Sequence, residues 1–360
     1  MEKYILQYGS LAGWPYRVAE GLRRAGYNSL NVIQENTDVE DLDRQLPHDR
    51  ALANKSDGKV SKFIKRARFL GEVVEQCSLV HYHGGVILRS HGHHLIEGKL
   101  LAKKQIPMIM SFGGGDARIV SEARAKNPYF YRQPDERRDE RIRAYLKSIS
   151  RHIRYVATDY EMMSYVEPYF EKCYLFRQPV DLSTIQFNAP QLDRPPVILH
   201  IPTEPLVKGT KYVVDAIEKL KAEGYKFEFR LKRQLTQAEM YDEIASCDVY
   251  VDELLCGSHG VTSVETMAAG KVTVTYIRPD LVPKFPAEIP LVNANPDTFY
   301  SKLKELICEP ALRADLSCRS RQYVEKYHDA DVVVGELIHI YKDIGFQGSS
   351  RFGNATSVEP

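Results

Sequence analysis

The stretch from Cys247 to Ile277, CDVYVDELLCGSHGVTSVETMAAGKVTVTYI, leaves a chain of this kind few folds to choose from. Cys247–Val251 is a short apolar run with β-branched residues, the pattern of a strand buried on both faces of a parallel sheet. A loop from Asp252 to Gly260 follows, with glycines at 257 and 260. Val261, Val264, Met267 and Ala268 then fall on one side of a helix, which Gly270 stops from the C′ position. Val272–Ile277 is a second strand. A glycine-bearing loop feeding a helix start exposes free backbone N–H groups and the positive end of the helix dipole, which together suit a diphosphate. Glu265 stands in the first turn of that helix. An ordinary βαβ turn with a capping glutamate has the same spacing, so this unit alone speaks to architecture and not yet to chemistry.

At 360 residues, two domains of ordinary size are expected. With 43% hydrophobic and 27% charged residues, the chain can bury real cores. No apolar run approaches the ~20 residues of a membrane span, and the opening MEKYILQYGS is too short in apolar residues for a signal peptide. Six cysteines, at 77, 173, 247, 256, 308 and 318, include no Cys-x-x-Cys pair. They read as reduced, cytoplasmic thiols rather than a disulfide framework or a zinc site. Residues 1–185 carry 29 Lys+Arg against 23 Asp+Glu, a balance of +6, and the remainder 20 against 25, a balance of −5. A basic first half suits an anionic acceptor or a membrane surface; solvated helix faces would give the same count.

In chain order, Tyr4–Tyr8 is an apolar strand, followed by Gly-Ser-Leu-Ala-Gly at 9–13 and a helix around Tyr16–Ala25. This opens a Rossmann-like half, without a Gly-x-Gly-x-x-Gly fingerprint or a P-loop. Asn28–Ile33 is a second strand, and residues 34–58 read as a polar surface excursion. Val60, Phe63, Ile64, Ala67, Leu70 and Val74 keep helical spacing opposite Lys62, Lys65, Arg66 and Arg68. The expected outcome is a packed helix with a solvated basic face, the alternative a basic amphipathic helix lying on anionic lipid. Ser78–His83 is a strand with His81 and His83 on one face, and His91, His93 and His94 follow. No carboxylate or cysteine with ligand spacing accompanies these histidines, so a pocket lining is expected rather than a metal. Met108–Phe112 is the next strand and runs into Gly113-Gly114-Gly115-Asp116-Ala117-Arg118. A charged helix at Asp135–Ser150, a strand at Ile153–Ala157, a helix capped by Asp159 and a strand at Tyr174–Phe176 complete this half.

Gln186–Pro196, polar and proline-rich, reads as a linker. A strand at Val197–Ile201 leads through Pro-Thr-Glu-Pro-Leu-Val to Lys208-Gly209-Thr210 and a helix with Val213, Ala216, Ile217 and Leu220 inward. Tyr225–Leu231 alternates as a strand, and Thr236 to Glu239 forms a capping box ahead of the 247–277 unit. Helices are expected at 296–307, 310–327 and 330–343, and the Gly/Ser-rich tail from Gln347 reads as disordered.

Glu265-Thr-Met-Ala-Ala-Gly270-Lys-Val, with Lys208-Gly209 ahead of it, resembles the donor signature of the family-four glycosyltransferases. The resemblance implies an α/β GT-B fold: two facing Rossmann-like domains around a deep interdomain cleft. Residues 1–185 would be the acceptor-side domain and 186–335 the nucleotide-sugar domain. A terminal helix at 336–346 would cross back to the first domain, ahead of a tail at 347–360. It implies that Lys208 holds the donor diphosphate and Glu265 the ribose, with the amides of Gly260, Val261 and Thr262 between them. The loop ending at Gly13 would approach the donor phosphates. His83 and Asp116 would serve the reaction beside Lys208, and His81, Gly114 and Arg118 would stand on the acceptor side. Three family positions differ: Gly257 replaces the first glutamate of the pair, Gly113 replaces a histidine, and Pro202 and Thr203 stand where an arginine is usual. Without a side chain at 257, the sugar would be held by backbone amides or by Asp252 or Glu253. The implied reaction is retaining transfer from a nucleotide sugar to an unknown acceptor, with no metal or cofactor. Nucleic acid is not an expected partner, and the expected setting is the cytoplasm or the periphery of a membrane. Two alternatives share these features: a donor-binding partner subunit without catalysis, and a sugar-nucleotide epimerase.

Overall fold

The computed structural model describes residues 3–35, 44–88 and 93–351. In chain order the first half holds β1 (Tyr4–Tyr8), α1 (Trp14–Arg24), β2 (Ser29–Glu35), β3 (Arg50–Ala53), α2 (Lys59–Gln76), β4 (Cys77–His83), α3 (His93–Lys103), β5 (Met108–Ser111), α4 (Val120–Lys126), α5 (Glu136–Ile149), β6 (Tyr155–Thr158), α6 (Tyr160–Val166) and β7 (Lys172–Leu175). The second half holds β8 (Val197–His200), α7 (Pro205–Lys208), α8 (Thr210–Ala222), β9 (Glu228–Leu231), α9 (Gln237–Ser246), β10 (Val249–Val251), α10 (Val261–Ala268), β11 (Val272–Thr275), β12 (Val292–Asn293), α11 (Phe299–Cys308), α12 (Pro310–Tyr327) and α13 (Ala330–Asp343). Among the described residues, β1–β7 form one sheet in the order β3-β2-β1-β4-β5-β6-β7 and β8–β12 a second in the order β12-β11-β10-β8-β9. The strand pairs of both sheets are parallel, for example Leu6 against Val80 and Tyr250 against Leu199.

Burial on both faces explains the central strands. All five residues of β1 are buried. Tyr4, Leu6 and Tyr8 face one core with Phe69 and Tyr82, while Ile5 faces another with Trp14, Val18 and Leu79. This second core is completed from the far end of the chain: Val333, Val334, Leu337 and Tyr341 of α13 pack into it. The approach of α13 to α1 is close enough that a Cβ on Gly21 would meet Val334 Cγ2 at 2.7 Å.

The chain crosses between the two sheets twice, and the crossings lie side by side. Val180 donates its N–H to His328 O at 2.8 Å, and Ala330 donates to Val180 O at 2.9 Å. Residues 186–196, expected as a linker, are instead bound along the second domain. Asn188 donates to Ala269 O and Gln191 to the buried Asp248, which Arg194 also pairs at 2.8 Å. The two crossings therefore meet in a single parallel bridge between Val180 and Asp329.

Three sequence expectations need correction. Residues 34–58 contain β3, which pairs Arg50 with Val32 and Ala51 with Ile33 at the edge of the sheet. The described part of that stretch also reaches the second domain, where Gln237 donates its N–H to Arg44 O. In α2 the inward residues are Phe69, Leu70 and Val73, whereas Val60, Phe63, Ile64 and Ala67 are exposed. His91 and the tail at 352–360 lie outside the described residues, as do the side chains of His93 and His94.

Candidate active site

At the carboxyl ends of β1, β4 and β5 the chain turns at Gly9, Gly84 and Gly113, around a cavity of about 460 Å³. Its lining includes Leu11, Glu35, His83, Gly114 and Asp116. This is the edge at which parallel α/β sheets place ligands, because loops rather than helix bodies meet there. Gly9 is required: its φ is +126°, and a Cβ would lie 2.3 Å from His83 O. Asp116 shapes the glycine turn by accepting the N–H of Gly114 at 2.8 Å and of Gly113 at 3.2 Å. Burial pushes its carboxyl above the usual range, and those backbone bonds only partly oppose the shift.

His83 forms part of the cavity wall but is almost wholly buried, with its ring 4.1 Å from that of His81 and 5.0 Å from that of Trp14. A chain of hydrogen bonds fixes its tautomer. The Gln7 amide nitrogen donates to Tyr341 Oη at 2.9 Å, so Gln7 Oε1 is left to accept from His83 Nε2–H at 2.8 Å. Tyr341 in turn donates to His81 Nδ1 at 2.8 Å, His81 Nε2–H to Ser111 Oγ at 2.7 Å, and Ser111 to Ala157 O at 2.5 Å. The proton of His83 therefore sits on Nε2, and its Nδ1 has no partner among the described residues. Burial, and then the neighbouring His81, hold His83 well below the ordinary imidazole range, so it is neutral. His81 itself is fully buried and is absent from the cavity wall, so the structure places it behind the site, not at the acceptor.

In the second domain, whose residues do not line that cavity, Lys208 ends α7 and Glu265 stands in α10. Asp252 joins them. It accepts from Lys208 Nζ at 2.6 Å and from Ser263 Oγ at 2.5 Å, two residues before Glu265. Glu253 also pairs with Lys208, at 3.0 Å. Burial opposes the charge on Lys208, but Asp252 and Glu253 outweigh it and hold the ammonium well above its ordinary pKa. Burial likewise raises Glu253, and this outweighs the attraction of Lys208. Lys208 is thus not a free cation: Asp252 and Glu253 are its counter-ions. Glu265 accepts from Tyr241 Oη at 2.7 Å. Burial pushes its carboxyl up to about 7, against the hydrogen bond from Tyr241 and the fields of Arg17 and Arg44. The helix of Glu265 begins at Gly260, where a Cβ would meet only Asp252 Oδ2, at 3.9 Å. Val261 leans on the first-domain core, and Thr262 beside it is half-buried. Gly13 caps α1 on the opposite side, where a Cβ would touch Leu46 at 3.4 Å.

The domains are closed on each other beside this site. Arg118 forms two bonds to Glu161, at 2.7 and 2.8 Å, and is therefore an interior ion pair rather than an open acceptor contact. The fully buried Arg278 reaches across from the second domain to Tyr165 Oη at 3.0 Å and Ser164 Oγ at 3.3 Å. Asn127 donates to Leu255 O at 2.8 Å. Gly257 lies in this seam with φ +88°, and a Cβ there would stand 3.0 Å from Asn127 Nδ2 and 3.2 Å from Arg278 Cβ. The place of the first family glutamate is therefore closed by protein. Sequence reading missed Glu161 and Tyr241, whose partners Arg118 and Glu265 are 43 and 24 residues away, and Arg278 and Arg17, which act across the two domains; none carries a local motif. Among the described residues, no group of three His, Cys, Asp or Glu is arranged to hold a metal ion.

No family model matches the sequence, and no curated protein does. Solved structures do match the fold. Sucrose-phosphate synthase from Thermosynechococcus elongatus is 12% identical, with 95% of this chain and 99% of that chain covered at a TM-score of 0.64. Anabaena HepE in complex with UDP and glucose is 11% identical, with 95% and 100% covered at 0.64. An alpha-glucosyltransferase in complex with UDP and DNA is 12% identical, with 95% and 100% covered at 0.62. With its two parallel sheets closed on a shared cleft, this chain has the GT-B fold of those glycosyltransferases.

Proposed function

We propose that this chain is a retaining glycosyltransferase that takes a nucleotide sugar on the second domain and delivers the sugar to an acceptor in the first-domain cavity. One observation carries the reading: Asp252 holds Lys208 and, through Ser263, the first turn of the helix that carries Glu265. A diphosphate entering there would exchange the carboxylate partners of Lys208 for its own oxygens and take up the amides of Gly260, Val261 and Thr262. Lysine and amides then stabilise the leaving diphosphate, the task that a metal would otherwise perform. Glu265 would release Tyr241 and accept from the ribose hydroxyls. On the other wall, the Nδ1 of His83, buried and without a partner among the described residues, would accept from an acceptor hydroxyl that reaches it, and Asp116 holds the glycine turn beside it. The six free thiols agree with a cytoplasmic setting.

A donor-binding subunit without turnover is the second reading, favoured by the paired state of Lys208 and the closed seam at Gly257. A thermal-shift screen of nucleotide sugars, beginning with UDP-glucose (the ligand of a HepE structure), tests both. Donor at a hundred times its Kd should add about 2.7 kcal/mol of stability. Lys208→Ala should weaken donor binding roughly 10–150-fold and lower turnover as well. Because that substitution also strands Asp252, the Lys208→Ala/Asp252→Asn double variant should recover stability without recovering donor affinity. Donor affinity equal to wild type in the double variant would remove Lys208 from the site. Binding without release of nucleotide in the presence of any acceptor would favour the second reading.

A further inference from the structure

Two carboxylates share the ammonium of Lys208, and they are not held alike. Asp252 accepts from Lys208 Nζ at 2.6 Å and from Ser263 Oγ at 2.5 Å, and its side chain is 1% exposed. Glu253 accepts from Lys208 Nζ at 3.0 Å, its side chain is 12% exposed, and its carboxylate has no second hydrogen bond among the described residues. The backbone of Glu253 is fixed independently: its carbonyl accepts from the N–H of Tyr276 at 2.9 Å and from Thr275 Oγ1 at 3.0 Å. The side chain can therefore swing while the loop stays in place.

Charge points the same way. One ammonium against two carboxylates leaves this trio with an excess of negative charge. Burial opposes the charge of Asp252, but Lys208 outweighs it and holds that carboxyl below the usual range. At Glu253 burial, with the repulsion of Asp252, prevails over Lys208, so Glu253 is the more weakly held anion of the two. A diphosphate at the start of α10 brings further negative charge to the same ammonium. Asp252 could yield only by leaving Ser263 as well, in a place with almost no water to replace either bond. Glu253 yields at the loss of one hydrogen bond, and Arg118 of the first domain is the next cation that acts on it.

We propose that Glu253 is a built-in competitor of the donor: its carboxylate holds Lys208 before the donor binds, is the first to give way to the diphosphate, and returns to help expel the nucleoside diphosphate product. The proposal rests on the transferase reading for the seat of the diphosphate at Lys208. Calorimetric binding of UDP, GDP, ADP, CDP and dTDP to the full chain, each beside its uncharged nucleoside, is the test. Glu253→Gln keeps the length of the side chain and leaves Lys208 its bond to Asp252. It should bind the preferred diphosphate about tenfold or more tightly than wild type, because one like charge beside the phosphates is gone. Dissociation should be slower, and affinity for the nucleoside unchanged. Glu253→Ala, which also removes the reach of the side chain, should act in the same direction. Diphosphate binding no tighter than wild type in both variants would overturn the proposal and leave the transferase reading standing. So would an equal gain for the nucleoside, which would mark a general loosening of the cleft. No diphosphate bound by wild type or by either variant would remove the seat itself, and both readings with it.

Discussion

At the scale of single residues, Glu265 carries a testable proton. Its folded pKa of about 7 lies above its ordinary value of 4.5, chiefly through burial. The folded state therefore binds more protons than the unfolded state between those values, and the stability from this group falls as pH rises through them. Glu265→Gln should abolish that loss, raising stability at pH 8 by up to about 3 kcal/mol relative to wild type and leaving it unchanged near pH 4. Ribose hydroxyls donate hydrogen bonds and so favour the carboxylate. Donor binding at pH 6 should then release a proton, seen as a dependence of calorimetric heat on the ionisation enthalpy of the buffer. Wild-type binding without proton release would separate Glu265 from the ribose.

At the scale of elements, α13 sets the tautomer of a histidine on the cavity wall. Tyr341 is the donor that turns His81 and, through Gln7, directs the proton of His83 to Nε2. Tyr341→Phe leaves the Gln7 amide and His81 Nδ1 without a partner in a buried place, a cost of about 1–3 kcal/mol. It should depress transfer with little change in donor affinity, since Lys208 and Glu265 are on the other domain. Histidine ¹⁵N shifts should report the loss of the single His83 tautomer; transfer at the wild-type rate despite that loss would make the tautomer irrelevant. The strands β4, β5, β6, β8, β10 and β11 are legible as apolar runs, to within a few residues at their ends, because burial on both faces demands such runs. The strand β3 was not, because RALA is short and lies at an edge, where pairing to β2 and not composition makes it a strand. Helix α2 was legible as a helix, but the burial of its stripe was not: periodicity reports a face, and only packing says what covers it.

At the scale of the whole molecule, closure rests on the seam of Asn127, Glu161 and Arg278 and on the paired crossings at 178–180 and 328–330. On sequence grounds Gly257→Glu should alter the choice of donor sugar. The structure leads to a different expectation, because a glutamate cannot enter between Asn127 and Arg278 at φ +88°. The domains should part instead, with a larger radius of gyration in solution scattering and faster proteolysis at the exposed seam. A Gly257→Glu protein that remains as compact and as stable as wild type would show that the seam yields.

The sequence by itself determined two parallel, doubly covered sheets, a glycine-fed helix start in the second and a lysine ahead of it. Each of these is a local demand: β-branched runs to be buried on both faces, a backbone turn that needs no side chain, a helix end with unpaired amides. Tertiary structure alone decided the electrostatic state of that lysine, the tautomer of His83 and the fate of Gly257. In each case the deciding partner comes from tens to hundreds of residues away: Asp252 for Lys208, Gln7 and Tyr341 for His83, and Asn127 for Gly257. Desolvation makes such partners matter, because a charge or lone pair removed from water takes its energy from whatever the fold brings within hydrogen-bonding distance.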